Sequence, residues 1–567
     1  MMCALKAHRL AAAGVGLALL LQAGLGLFNF AGEFNRGHNG WNTSAYHQSA
    51  KNTWRWGVLF PLQYDTGVTP PRPDELYTHH PLGMHLHNTA AYGLFGDETW
   101  VVRGVMALQG LLVVLALCVL LWWLWSPGAA AIAGLVYVAI PINAIYLNMA
   151  NHSSGFLAWG LAALGLHLAA LRALARGERR AARRWRLGFL LAFVMAALWD
   201  WPAAYLAAGV SLHLLGLAWR QRRQEGGETR EHLLHLLVFL LVGLATVATH
   251  AILVELFAGG LGELASTAEA RATPPWSRWA YHLRVVPPIA IGWFLLGAGL
   301  LWAARFARRV RRGEVRDRDL VPLIFGVGGL IHYLAFPWSA VVHSYWAWTM
   351  LPFFAIAAAD LLPAAWPRSR ATRASALALA LAIVGTYAHA AILVPAGREV
   401  GGALWFVRRV RDEPIQTYWG GYPELRLARW VRAATDRETG VLVHRAIRET
   451  IPEPRFFITL DREYREVGNV PSVAPRSPVE RWVFVAPLSA VPLPRRAALA
   501  ARHPYRQVDD YFMVDLSRQG RDIEVFRTEP AEASLFHRFF VDAWDPPREW
   551  IPDEAAEAEL LQLIGPS

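Results

Sequence analysis

Long apolar runs recur along the first two thirds of the chain, separated by short polar loops. They lie at about Leu10–Phe30, Trp100–Trp125, Ala129–Leu147, Gly155–Leu171, Leu187–Trp199, Pro202–Trp219, Leu233–Phe257, Val285–Ala304, Leu320–Phe336, Trp346–Leu362 and Ser375–Val394. A helix rises 1.5 Å per residue, so about twenty apolar residues cross a hydrocarbon core of ~30 Å. The pattern therefore predicts about eleven membrane-spanning helices, the fifth of them short. Lys6 and Arg9 precede the first run, and no clear small-x-small cleavage site follows it. It reads as an uncleaved helix with its N-terminus inside, rather than as a signal peptide.

The pattern changes after about residue 396, where charged residues become frequent and apolar runs shorten. Pro423–Thr435 reads as an amphipathic helix. Gly440–Val443, Arg455–Leu460, Trp482–Ala486, Tyr511–Leu516 and Ile523–Phe526 read as strands. Expected, then, is an all-α polytopic module over 1–395, with a first outer loop at 31–99, followed by a soluble extracytoplasmic α/β domain over 396–567. The C-terminal segment shows no phosphate-binding glycine loop, nucleophile elbow or metal motif, and reads as a cap or docking domain.

Composition agrees. Of 567 residues, 54% are hydrophobic and 17% charged, against roughly 25% charged in a soluble protein. The net charge of +11 does not indicate a nucleic-acid partner, because the arginines crowd into short loops between apolar runs. Alternating spans place Arg172–Arg186, Arg220–Arg230, Arg305–Arg318 and Arg368–Arg373 all on the inner side, as cytoplasmic loops require. The expected location is a bacterial inner membrane, with the C-terminal domain in the periplasm or outside. Two cysteines, Cys3 and Cys118, suit neither a disulfide nor a zinc site.

Chemical variety is concentrated on the loops that face outward. The first carries Asn42, Lys51, Asp65, Asp74, Glu75 and six histidines, His38, His47, His79, His80, His85 and His87, in or beside it. Later loops carry Asn151-His152-Ser153-Ser154, Asp200-Trp201, Arg271 and Arg278, and His343-Ser344-Tyr345. Ser44–Gly57 reads as an interfacial amphipathic helix, and a second begins near His80-Pro81. His79 and His80 suit phosphate contact, base catalysis or aromatic packing. A metal set of His79 or His80 with His152 or His343 has no ligand spacing behind it, and a divalent metal stays open. Asp200 is equally a helix cap or a base, and Asp65 a turn residue or a base. Lys51 is a phosphate ligand or a snorkelling cation. His343 and Tyr345 are sugar contacts or interface anchors, whereas His167, His213 and His250 read as satisfied core residues.

The order of several short motifs carries a resemblance. Gly40-Trp41-Asn42, Ala50-Lys51-Asn52, Trp56-Gly57, His79-His80-Pro81-Leu82 and Leu94-Phe95-Gly96 follow the first span in turn. This resembles the GT-C glycosyltransferases of family 39, which include protein O-mannosyltransferases and aminoarabinose transferases, over roughly residues 1–400. The resemblance implies a polyprenyl-phosphate sugar donor, a lipid, glycan or protein acceptor on the outer face, and membrane lipids as surroundings. It implies an acidic general base in the first loop and cations that hold the departing phosphate.

The chain departs from that pattern at three points. Asn42 stands where the family carries an acid, His80-Pro81-Leu82 replaces Lys-Pro-Pro, and Asn151-His152 occupies a position that is acidic in the aminoarabinose group. With the usual first-loop acid not evident, the expected catalytic set is Asp65, His80 and Asp200. The expected substrate-binding set is Asn42, Lys51, His79, His152, His343 and Tyr345. A non-catalytic GT-C-like assembly subunit is the first rival, and a lipid flippase or transporter the second.

Overall fold

The computed structural model describes residues 2–28, 30–32, 34, 37–57, 59, 76–223, 229–258, 260–273, 276, 279–280, 283, 287, 290–365, 423–450, 459–469, 479–532, 534 and 548–565. It divides into two compact units. One comprises 1–27, 77–91 and 101–417, the other 28–76, 92–100 and 418–567.

The first unit is a helical membrane module. Its helices include α1 (Met2–Leu27), followed later in the chain by α2 (Gly37–Trp56) of the second unit, then α3 (Gly83–Phe95) and α4 (Thr99–Leu124). Next come α5 (Pro127–Ala139), α6 (Pro141–Tyr146), α7 (His152–Ala175), α8 (Arg179–Trp199), α9 (Ala203–Arg223), α10 (Thr229–Ala258) and α11 (Gly262–Ala272). Five helical segments among the described residues are long and apolar enough to cross a membrane: His8–Leu27, Thr99–Leu124, His152–Ala175, Thr229–Phe257 and Asp317–Ala335. The protein is thus an integral, multi-pass membrane protein.

Several expected runs are broken in ways the chemistry explains. The third divides at Pro141, which lacks the N–H to continue α5 but sits at the first turn of α6. The ninth contains a π turn, Ile324–Gly328, between Leu320–Leu323 and Gly329–Ala335. The tenth begins as a 3-10 stretch, Ser344–Met350, before Leu351–Ala365. The eighth is helical over Trp293–Arg311, and the eleventh, Ser375–Val394, lies outside the described residues.

Among the described residues, the second unit contains a seven-stranded mixed sheet. Its strands are β1 (Thr439–His444), β2 (Tyr464–Val467), β3 (Arg481–Pro487), β4 (Tyr505–Val508), β5 (Tyr511–Asp515), β6 (Ile523–Pro530) and β7 (Arg548–Pro552). They lie in the order β2-β1-β3-β5-β4-β6-β7. The period-2 alternation of strand side chains builds two cores. Val441, Val443, Val483 and Val485 face helix Pro423–Ala434 through Leu427, Ala428 and Val431. Leu442, Phe484, Phe512 and Val514 face the opposite way, toward Ala497, Ala500 and Leu560. The strand expected at Arg455–Leu460 is not formed over Thr459 and Leu460, which are helical, and 451–458 lie outside the described residues.

Candidate active site

In the membrane module, polar residues of three separate loops converge. Asn151 caps α7, its Oδ1 accepting the Ser154 N–H at 3.1 Å, and this fixes His152 as the first helical residue. His152 Nδ1 donates to the Trp199 carbonyl at the end of α8, 3.0 Å away. The His152 and His80 rings stack with centroids 4.0 Å apart and planes 11° off parallel. His80 Nδ1 lies 3.7 Å from Asp200 Oδ1. Asp200 also accepts from the Trp201 N–H at 2.9 Å and from Ser153 Oγ at 3.4 Å. Its carboxylate therefore faces the histidines rather than capping the second or third N–H of α9.

Two glycines allow this approach. A Cβ on Gly83 would lie 2.6 Å from the Leu198 carbonyl oxygen, which is backbone and cannot rotate away. A Cβ on Gly155 would meet the Trp199 ring at 1.9 Å. Gly83→Ala is expected to cost about 1–3 kcal/mol by overpacking. A thermal melt of the full chain measures it, and an unchanged melting temperature would show that α3 and α8 are not held this closely.

His79 points to a different partner set. Its Nε2 lies 3.0 Å from Thr267 Oγ1 and its Nδ1 3.5 Å from Arg271 Nη2, while its carbonyl accepts the Trp201 indole N–H at 2.8 Å. The Arg271 guanidinium can only donate, so His79 carries its proton on Nε2 and donates it to Thr267. Tyr77 lies against His79, His80 and His85 with centroids at 4.6, 6.1 and 6.3 Å. His343 is near enough to act electrostatically on His80 and packs on Tyr345, whose ring meets Tyr146 at 5.5 Å.

Burial sets the protonation states. Burial, then Arg271 and the neighbouring histidines, hold His80 well below its ordinary value, so its ring is neutral. Burial likewise takes His85 down to about 4. Burial pushes the Asp200 carboxyl up, and His152, His332, the Trp201 N–H and Ser153 offset this only in part. A carboxylate with raised pKa is a stronger base than a free aspartate, and beside a neutral imidazole it can accept and pass on a proton.

The fit to a metal is poor. A ring nitrogen binds zinc in the plane of its own ring at about 2.0–2.1 Å. Two parallel rings with centroids 4.0 Å apart cannot both do so. Among the described residues, no three histidine, cysteine or acidic side chains are grouped as a metal site.

Asn42 and Lys51 belong to the other unit. There the polar side chains of α2 turn inward: Gln48 donates to Asn52 at 2.7 Å, Thr43 to Asn39 at 3.3 Å, and Asn42 is buried. Lys51, fully buried, pairs with Asp97 at 2.7 Å and Asp461 at 3.4 Å. Asp97 also meets His47 at 2.7 Å and Arg432 at 2.6 Å, and Arg55 clamps Asp461 through two bonds of 2.7 and 2.8 Å. Burial opposes ionisation of Asp97, but Lys51, His47 and Arg432 together hold it well below the usual carboxylate range. So weak a base is suited to holding charges together.

Asp97 escaped the sequence reading although it follows Leu94-Phe95-Gly96 directly. Its partner Arg432, and Asp461, which shares Lys51 with it, are more than 300 residues away in sequence, and no local pattern announces them. His167 Nε2 and His213 Nδ1 lie 3.2 Å apart and His213 Nε2 reaches Asp317 at 3.3 Å, but the buried His167 Nδ1 has no hydrogen-bond partner among the described residues, so His167 is only half satisfied; His250 packs on Trp201. Asp65, Asp74, Glu75 and Arg278 lie outside the described residues.

No protein-family model and no curated protein sequence matches the chain. Solved structures do. ArnT from Cupriavidus metallidurans in the apo state is 16% identical, with a TM-score of 0.51 over 90% of this chain and 98% of that one. The same protein bound to undecaprenyl phosphate gives a TM-score of 0.53 at 16% identity, over 89% of this chain and 97% of that one. The chain has the fold of ArnT, the GT-C membrane fold with a C-terminal sheet domain.

Proposed function

We propose that the protein is a membrane glycosyltransferase. It transfers a sugar from a polyprenyl-phosphate-linked donor to a hydroxyl of a lipid, glycan or protein on the outer face. The observation that carries this reading is the Asp200–His80 pair, 3.7 Å apart and buried with His152 in a module of GT-C fold. The undecaprenyl phosphate bound by ArnT supports the donor class.

In this reaction the acceptor hydroxyl gives its proton to Asp200, directly or through His80. Its oxygen forms a bond to the anomeric carbon as the bond from that carbon to the phosphate oxygen breaks. The configuration inverts, and the leaving group departs as polyprenyl phosphate. Arg271, steadied by its contact with His79 Nδ1, supplies positive charge for that phosphate, an electrostatic contribution of the kind that dominates many enzymes. Lys51, committed to Asp97 and Asp461, is not needed for it. Asp65 is the alternative base.

The test uses the full chain in native lipid with a panel of radiolabelled polyprenyl-phosphate sugars. The wild type is expected to transfer label from one donor, His80→Ala and Asp200→Asn to lose most of it, and Asp65→Asn to retain it. Loss in Asp65→Asn with retention in Asp200→Asn would move the base to the first loop. Absence of transfer from every donor, with wild-type cellular phenotypes for both site variants, would remove the enzymatic reading.

A further inference from the structure

The opposite end of the same helices carries a second, chemically different site. Between α4, α7 and α8 runs an open apolar groove of about 750 Å³. Ala158, Ala162, Gly165 and Ala169 of α7 leave its floor empty, and Trp123 and Trp185 flank it. A second cavity, of about 860 Å³, shares Leu166 and Trp185 with the groove and is lined by Arg179, Arg180 and Arg184. The groove itself ends at Arg176. An apolar channel thus opens directly into an arginine-rich mouth.

The charges at that mouth are not all spent. Arg176 pairs with Glu178 at 3.0 Å, and Arg179 with Glu231 at 3.6 Å. Arg180 and Arg184, one helical turn apart on α8, make no ion pair among the described residues. The Arg172 Cζ sits over the Trp123 ring, 4.0 Å from its centroid, where an interfacial tryptophan and a cation mark the headgroup level.

We propose that this is a binding site for an anionic glycerophospholipid, with an acyl chain in the groove and the phosphate at Arg180 and Arg184. The groove follows α7 from Ala158 to its end at Ala175, about 25 Å, longer than the half-thickness of a ~30 Å core. That length suits one acyl chain. Basic pockets between helices at the cytoplasmic face recognise anionic headgroups in this way. The occupant is not the sugar donor. His152 stands at the first residue of α7 and the arginines lie past its last, and 24 residues separate the two ends by about 36 Å. A phosphate at Arg180 cannot reach Asp200 or His80. The lipid's role is to fasten α7 and α8, whose far ends hold His152 and Asp200.

The test titrates the purified full chain, held in phosphatidylcholine-containing detergent, with phosphatidylglycerol. Native mass spectrometry reads retention, and a thermal melt reads stability. Phosphatidylglycerol should be retained and raise the melting temperature, and equal phosphatidylcholine should not. Removing two headgroup charges in R180Q/R184Q should weaken binding about ten-fold or more, at about 1 kcal/mol for each arginine. Ala162→Phe, which fills the groove without touching the charges, should abolish retention and leave the melt in phosphatidylcholine unchanged. Equal stabilisation by phosphatidylcholine, or wild-type binding by Ala162→Phe, would overturn the site. So would inorganic phosphate reproducing the shift alone, or undecaprenyl phosphate displacing phosphatidylglycerol at equal concentration.

Discussion

Asp200→Asn should lower sugar transfer by about 10²–10⁴-fold, the usual contribution of a positioned general base, with little change in folding. The substitution keeps the size of the side chain, and its amide oxygen can still accept from the Trp201 N–H. What it removes is the negative charge, and with it the basicity, of the group whose Oδ1 lies 3.7 Å from His80. The wild-type rate should have an acid limb whose midpoint lies above the ordinary aspartate value of about 3.9, because burial raises the Asp200 pKa. The sign follows from the role: the carboxylate must be unprotonated to work, so activity is present above that raised value and falls as pH drops through it. Steady-state rates across pH, with melting temperatures alongside, separate this from unfolding. A variant with wild-type kcat and the same acid limb would exclude Asp200 as the base.

The second large effect is on stability. Asp97→Ala should destabilise the second unit by about 3–5 kcal/mol, the cost of leaving buried partners uncompensated. Lys51, His47 and Arg432 would then be held together without the anion that unites them. The same network predicts acid sensitivity. The folded-state pKa of Asp97 is depressed, so its stabilisation is complete above the unfolded value of about 3.9 and is lost as pH falls below it. Burial also depresses His47, despite its bond to Asp97. Its contribution therefore begins to fade earlier, as pH falls below about 6.5. Hydrogen exchange over α2 and β1 reads both effects. Unchanged protection in Asp97→Ala would show that the pairs are dispensable.

The membrane module was legible because lipid leaves few choices. Backbone polar groups must be satisfied within each segment, so long apolar runs become helices, and the breaks fall at residues such as Pro141. In the sheet domain, the buried strands β1 and β3 were legible because Val441-Leu442-Val443 and Val483-Phe484-Val485 are apolar on both faces. The strands Tyr464–Val467 and Arg548–Pro552 were not, since they are short, charged strands with one neighbour each among the described residues. At the site, His80, His152 and Asp200 were found singly because polar residues at helix mouths are conspicuous. Their meeting was not visible, because it depends on how closely Gly83 and Gly155 let the helices approach. Lys51 shows the converse: a lone cation in a polar loop suggests a phosphate, and only tertiary contact supplies Asp97 and Asp461.

The most direct test of the account is a structure of the full chain with a polyprenyl-phosphate sugar that resists transfer. The account predicts the sugar's anomeric carbon facing the Asp200–His80 pair, with room for an acceptor oxygen within about 3 Å of one of them, the reach of a general base. It also predicts the phosphate beside Arg271 and His79. A donor bound with its anomeric carbon away from Asp200 and His80, or its phosphate held by other cations, would contradict it.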